Sequence, residues 1–283
     1  MDRITVSTIQ KMKRAGEKIV MLTAYDYSTA KYADEAGADM ILVGDSAAMV
    51  VMGYETTNQI GMTEMLVFTK AAANGAQRSL VVGDLPFLSY QLSVKKAVLN
   101  AGKLIQQGAG AVKLEGASDF ALKAVARMTE TGIPVVGHLG FTPQSVKVLG
   151  GYKVQGKSAA ATLKMLEDAK KLQDAGAFAV VLEMVPEESA RYITENLDIP
   201  TIGIGAGAYT SGQVLVSDDI LGKYPDFAPK FSKKYADLRT VITSACADFV
   251  AEVKNGAFPT DKEAFHMPEA DLQELQKLAS AAE

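Results

Sequence analysis

The chain has 283 residues and a net charge of -4, a balance that argues against a nucleic-acid-binding surface. Its single cysteine, Cys246, excludes an internal disulfide framework and a cysteine-rich zinc site, and is typical of a reducing setting. The N-terminal segment carries charges where a signal peptide needs an apolar region, and no apolar run is as long as a membrane span. We therefore expect a cytoplasmic protein without a nucleic-acid or membrane partner.

Apolar segments alternate with helical ones along most of the chain. The sequence STIQ at 7–10 resembles a capping box and predicts a short helix before the first strand. Between the apolar segments, apolar residues recur at helical spacing, as in 117–131 and 158–175, with Ser118 and Ser158 as expected N-caps. Strands are predicted near 19–24, 40–44, 80–83, 111–115, 134–137, 179–182, 201–204 and 214–216.

Strands that alternate with helices in this way are parallel and buried on both faces. Eight such units favour a (β/α)₈ barrel, with an open doubly wound sheet as the alternative. No linker or composition shift marks a boundary, so we expect a single barrel domain over residues 1–283. From Pro259 onward a helical tail follows, with Leu272, Leu275 and Leu278 on one side, which is expected to cover the barrel or a neighbouring subunit.

Ionisable side chains stand at the ends of five predicted strands. They are Asp45 (followed by Ser46), Asp84, Lys113 with Glu115, His138 and Glu183. Taken singly, each has a structural alternative: an aspartate after a strand can cap a helix, and Lys113 and Glu115 can form a structural ion pair. Because barrels of this kind place their active sites at the carboxyl ends of the strands, the whole set predicts one active site.

The carboxylates of this set favour a hard cation with oxygen ligands, Mg²⁺ above all. Zinc is disfavoured because the chain has only two histidines. A magnesium ion at the barrel mouth would hold a 2-keto acid and stabilise its enolate, with Lys113 adding positive charge where negative charge develops. The sequence GIGAG at 203–207 is either a phosphate-binding loop or a tight turn, and its spacing does not decide between them.

The chain resembles the ketopantoate hydroxymethyltransferase family over nearly its whole length. The resemblance is carried by stretches that occur in the family's order, among them ILVGDS, DLPFLSY, AVKLEG, PVVGHLGFTPQS, VVLEMVP and IPTIGIGAG. It implies a (β/α)₈ TIM barrel of the phosphoenolpyruvate/pyruvate superfamily that assembles into a homo-oligomeric ring, commonly a decamer. It also implies transfer of a hydroxymethyl group from 5,10-methylenetetrahydrofolate to 3-methyl-2-oxobutanoate, giving 2-dehydropantoate for pantothenate biosynthesis.

The resemblance also implies a role for each strand-end residue. Asp45 and Asp84 correspond to magnesium ligands, and Glu115 to a third metal-site carboxylate that acts directly or through water. Glu183 corresponds to the general acid and base. Contacts to the keto acid are implied for Asp45, Ser46, Asp84, Lys113 and His138.

Two other functions remain open at this stage. One is a magnesium-dependent lyase or aldolase of the same superfamily, which would act on a 2-keto acid without folate. The other is a non-catalytic binding paralogue, which would be expected to have lost Asp45, Asp84 or Glu183, whereas this sequence keeps all three.

Overall fold

The structure, a computed structural model, describes residues 2–225 and 229–281. It forms two compact units, Met1–Ala236 and Asp237–Glu283. The first unit contains all of the predicted strands, and the second consists of helices.

Eight parallel strands close into a barrel in chain order, with β1 beside both β2 and β8. This confirms the predicted fold and excludes the open sheet. Each predicted strand is present, with bounds that differ by a few residues at most. The strands are β1 Ile19–Thr23, β2 Met40–Val43, β3 Leu80–Asp84, β4 Ala111–Lys113, β5 Val135–Gly140, β6 Ala179–Glu183, β7 Thr201–Ile204 and β8 Gly212–Leu215.

The helices of the first unit connect the strands. They are α1 Val6–Ala15, α2 Tyr27–Glu35, α3 Ala47–Val50, α4 Met62–Gly75, α5 Val94–Gln106, α6 Asp119–Glu130, α7 Val146–Leu149, α8 Ala159–Asp174, α9 Glu187–Glu195 and α10 Ser217–Ile220, with 3₁₀ turns at Thr57–Gln59 and Pro143–Ser145. Ser118 and Ser158 cap α6 and α8 as predicted, since each side chain accepts a hydrogen bond from a first-turn amide.

A helix does precede the first strand, but the predicted capping box at 7–10 is wrong. The N-cap is Thr5, whose side chain accepts from the Thr8 amide while Thr8 returns a bond to the Thr5 backbone. Threonine at the third helical position can accept from the cap amide as glutamate or glutamine does, so the helix begins before Ser7.

Alternate residues of the strands face two separate cores. Ile41 and Val43 pack in the layer between strands and helices, whereas Met40 and Leu42 pack with side chains inside the barrel. In β4 the inward residue is Ala111, so Lys113, two positions later, also points inward. The pleat therefore carries Lys113 into the barrel at its carboxyl end.

The second unit contains α11 Leu238–Asn255 and α12 Glu269–Ser280. Neither helix buries a residue among those described. Leu272, Leu275 and Leu278 lie on α12 and are exposed. The helical tail is thus confirmed, while its role as a cover stays a prediction. Within the described residues, no helix is long and apolar enough to cross a membrane.

Candidate active site

The strand-end side chains selected from the sequence meet in one pocket of about 90 Å³ at the carboxyl end of the barrel. Asp45, Ser46, Asp84, Lys113, Glu115, His138 and Glu183 all line it. Most of them are buried; Ser46 and Glu183 are partly accessible. The expectation that these residues form one site is therefore met by the geometry, and their individual roles stay predictions.

The tightest contact in the pocket joins neighbouring strands. Asp84 and Lys113 end β3 and β4 and stand side by side in the parallel register. The Lys113 Nζ donates to Asp84 Oδ2 at 2.5 Å. Burial by itself would lower the pKa of Lys113, but Asp84 and the other carboxylates raise it above its usual value. Lys113 is therefore a permanent cation paired with Asp84, and the structural alternative of a Lys113–Glu115 ion pair is wrong.

Asp45 lies beside Asp84 and follows β2 after Gly44. Its backbone N–H donates to Asp84 Oδ2 at 3.4 Å. Burial and the negative charge of Asp84 raise the pKa of Asp45 well above the ordinary aspartate value. Burial likewise raises the pKa of Asp84. Neither side chain caps a helix, because the N-cap of α3 is Ser46 and that of α5 is Ser93, so the structural alternative for both residues is wrong.

His138 lies between two glutamates. Its Nδ1 is 3.5 Å from Glu115 Oε1, and its Nε2 is 3.3 Å from Glu183 Oε2. Burial and Lys113 oppose protonation, but the two carboxylates outweigh them and raise the pKa of His138 to about 9. At neutral pH the ring is therefore a cation that links Glu183, at the pocket wall, to Glu115 behind it.

Gln144 belongs to the site but was not selected from the sequence. Its Nε2 donates to Asp45 Oδ2 at 2.8 Å, and its backbone N–H donates to Glu115 Oε2 at 3.0 Å. Its Oε1 accepts from Tyr90 and Gln91. One buried residue thus contacts two of the carboxylates, Asp45 through its side-chain amide and Glu115 through its backbone N–H. Its presence in the TPQS stretch was the available signal, but a neutral side chain in a loop does not suggest this role.

The donor set suits a divalent cation. Four carboxylates face two cationic side chains, so the pocket carries a net charge of -2 when all six groups are ionised. Asp84 Oδ1 and Glu115 Oε1 are buried without a hydrogen bond. No three His, Cys, Asp or Glu side chains in residues 2–225 and 229–281 can enclose a metal ion by themselves. Mg²⁺ commonly takes only one or two protein carboxylates and keeps several waters, so this arrangement fits it.

The GIGAG segment begins in the last two residues of β7 and continues into the turn that follows. Gly205 and Gly207 have φ of +62° and +74°, in the left-handed region that favours glycine. The backbone after β7 therefore makes a tight turn, and the phosphate-binding interpretation of the segment stays open.

The sequence is similar to one known protein family over most of its length. The sequence model of the family described as ketopantoate hydroxymethyltransferase matches residues 3–261. The 3-methyl-2-oxobutanoate hydroxymethyltransferase of Carboxydothermus hydrogenoformans is 54% identical over 97% of this chain and 100% of its own length. That of Syntrophus aciditrophicus is 57% identical over 93% of this chain and 97% of its own.

Solved structures show the same fold at low sequence identity. A phosphonopyruvate hydrolase complex with oxalate and Mg²⁺ is 12% identical with a TM-score of 0.59, covering 97% of this chain and 96% of its own. A 2,3-dimethylmalate lyase, a member of the PEP mutase/isocitrate lyase superfamily, is 16% identical with a TM-score of 0.59, covering 98% of each chain. These solved structures share the closed-barrel fold. The family model and the relatives match nearly the full length of this chain, so the chain belongs to the ketopantoate hydroxymethyltransferase family.

Proposed function

We propose that the protein transfers a hydroxymethyl group from 5,10-methylenetetrahydrofolate to 3-methyl-2-oxobutanoate and forms 2-dehydropantoate. The observation that carries this proposal is the single pocket in which Lys113, the Asp45–Asp84 pair and Glu183 converge. A 2-keto acid needs positive charge at its oxygens and a base near its C3 carbon, and these residues supply both.

Lys113 supports binding and enolisation. Its ammonium group is buried and permanently charged, so it can meet the keto or carboxylate oxygen of the substrate without being protonated first. A fixed cation in a buried pocket stabilises a developing oxyanion more strongly than one in water does. Asp84 keeps the ammonium group in place. Ser46, whose Oγ is hydrogen-bonded to the Tyr25 hydroxyl at 2.8 Å, can add a neutral contact to the same substrate.

Glu183 is the proposed acid and base. Its carboxylate lies at the pocket wall, and one of its oxygens lies 3.3 Å from Nε2 of the protonated His138 ring, whose charge attracts it. The other oxygen is left to take the C3 proton of the keto acid. A carboxylate that is already oriented toward the substrate is well placed for general base catalysis.

Asp45 and Asp84 are the proposed ligands of a magnesium ion, with Glu115 behind them acting through water. When bound, Mg²⁺ would supply positive charge at the keto-acid oxygens and so lower the cost of removing the C3 proton. Gln144 would hold Asp45 and Glu115 in position for it.

The transfer balances without any further reactant than water. The C3–H bond breaks, and a carbon–carbon bond forms between C3 and the methylene carbon of the folate. Water supplies the new hydroxyl group. One hydrogen from C3 and one from water end on the two folate nitrogens that release the carbon.

The proposed activity is tested with purified protein, 3-methyl-2-oxobutanoate and 5,10-methylenetetrahydrofolate. We expect 2-dehydropantoate to form, turnover to stop on chelation, and Mg²⁺ to restore it, since the pocket has excess negative charge. Formation of products from the keto acid without folate would instead favour a lyase or aldolase. Full turnover in metal-stripped protein would contradict the magnesium proposal.

Gln144→Leu should weaken magnesium binding by about tenfold or more, the usual scale for losing a partner of a metal ligand. The change removes the side-chain hydrogen bond to Asp45 and replaces the amide with an apolar side chain of similar size. Isothermal titration with Mg²⁺ measures the effect apart from turnover. Gln91→Leu is the matched control, because Gln91 contacts Gln144 but no site carboxylate. Equal magnesium affinity in both variants would refute the role of Gln144.

Glu183→Gln should lower turnover by about 10² or more while keto-acid binding is retained, because the basic oxygen is lost and Lys113 remains. Proton exchange at C3 of the keto acid in D₂O with Mg²⁺ and no folate, followed by NMR, separates the roles. Loss of exchange identifies Glu183 as the enolising base, and exchange without transfer places it in the folate half-reaction. Glu188→Gln, on the exposed surface of α9, is the control. Normal exchange and transfer in Glu183→Gln would refute a catalytic role.

We further propose a cytoplasmic protein that assembles into a ring of ten identical subunits. The assembly follows from the family resemblance, and the exposed leucines of α12 add modest support as apolar surface available for contact. Sedimentation velocity should give a species of about ten chain masses. A monomer at micromolar concentration would contradict this assembly.

A further inference from the structure

A second cavity of about 300 Å³ lies beside the catalytic pocket. The two share one wall, formed by Ser46, Thr57, Pro143, Glu183, Ile204 and Val216. A ligand in this side cavity would therefore lie against Glu183, the residue that faces the keto acid. The catalytic pocket itself, at about 90 Å³, has room for a small keto acid but none for a fused two-ring system beside it.

The walls of the side cavity are mostly apolar. Met49, Val50 and Tyr152 line it together with Phe231. Phe231 closes tightly over Gly205, where a Cβ atom would lie only 2.8 Å from the phenyl ring. Concave, largely apolar cavities with a few placed polar groups are typical sites for planar organic ligands.

One buried carboxylate in this cavity has no partner. Asp219 is 8% exposed and lines the cavity, and no hydrogen bond or ion pair to its side chain comes from the described residues. Burial, and to a smaller extent the negative charge of the neighbouring Asp218, raises the pKa of Asp219 to about 6. Asp218 is different: it does not line the cavity, and its Oδ1 pairs with Lys223 Nζ at 3.1 Å. The Asp219 carboxylate faces this cavity, so a ligand that brings hydrogen-bond donors can reach it.

We propose that the side cavity binds the pterin ring of the folate co-substrate, and that the Asp219 carboxylate accepts hydrogen bonds from its N3–H and 2-amino groups. These two donors are adjacent and parallel, the pattern that a carboxylate matches with both oxygens. The assignment rests on the proposed function. It places the methylene carbon toward Glu183 and the keto acid. The exposed Lys230 on the cavity lining is then available to the anionic glutamyl tail.

Asp219→Asn tests the contact, because it keeps the size of the side chain but replaces an acceptor with a donor. We expect the KM for 5,10-methylenetetrahydrofolate to rise, and tetrahydrofolate binding by isothermal titration to weaken, by at least about tenfold. The KM for 3-methyl-2-oxobutanoate should stay within about twofold. Asp218→Asn is the matched control and should change neither constant.

A ligand analogue makes the test specific. Tetrahydrofolate lacking the 2-amino group should bind the unchanged protein more weakly than tetrahydrofolate does. In Asp219→Asn this difference should disappear, since the two changes remove the same contact. Should Asp219→Asn fail to fold, Val50→Phe fills the same cavity from α3 and should raise the folate KM without raising that for the keto acid.

The outcomes separate this inference from the proposed function. If the unchanged protein transfers no carbon from methylenetetrahydrofolate, the proposed function itself fails. If it does transfer carbon, and Asp219→Asn and Val50→Phe leave the folate KM unchanged, only the side-cavity assignment fails. An equal rise in both KM values, or continued discrimination between the analogues by Asp219→Asn, would also overturn the assignment.

Discussion

The site depends on the compensation of buried charge. An ionised group without a partner in a low-dielectric interior costs several kcal/mol, so each charge at the barrel mouth is tied to another group. Lys113 is held by Asp84, His138 by two glutamates, and Asp45 by the amide of Gln144. The carboxylates still exceed the cations, and burial raises the pKa of both aspartates. Both carboxylates would gain from a divalent cation that stabilises their ionised forms, which supports the proposed magnesium site.

The barrel provides the rigidity that such a cluster needs. Strands hydrogen-bonded on both sides hold their end residues to within small displacements, and the parallel register sets Asp84 directly beside Lys113. Residues attached to such strands are placed more accurately than residues on loops. The loops add further contacts to the strand-end residues. The segment after β5 places Gln144 where it donates hydrogen bonds to two of the carboxylates.

Glu183 occupies the boundary between two spaces of different character. On one side is the small charged pocket, and on the other a larger, mostly apolar cavity that Asp219 lines. The proposed reaction joins a small anion to a bulky ring-bearing donor, and these two reactants favour different surroundings. Glu183 lines both spaces, which is consistent with its proposed role between the two reactants.

Much of the fold and the charged part of the site can be predicted from the amino-acid order. Apolar periodicity is a local property, so eight strands and the helices between them were predicted with small errors at their ends. The capping box was predicted too late in the chain, because Thr5 and Thr8 form it instead. Polar residues at the ends of apolar strands marked Asp45, Asp84, Lys113, Glu115, His138 and Glu183 as one group. Motif resemblance supplied the family.

Only the closed barrel decides which of these groups are partners. An ion pair between Lys113 and Glu115 was a structural alternative from the sequence, yet Lys113 bonds across the sheet to Asp84, and Glu115 faces His138. Gln144 and Asp219 were not selected at all. Their positions depend on how distant loops fold over the barrel mouth, and neither a neutral amide nor an aspartate in a short helix carries a local pattern that reveals its surroundings. Partners across strands are set by register and closure, which are long-range properties that no short stretch of sequence contains.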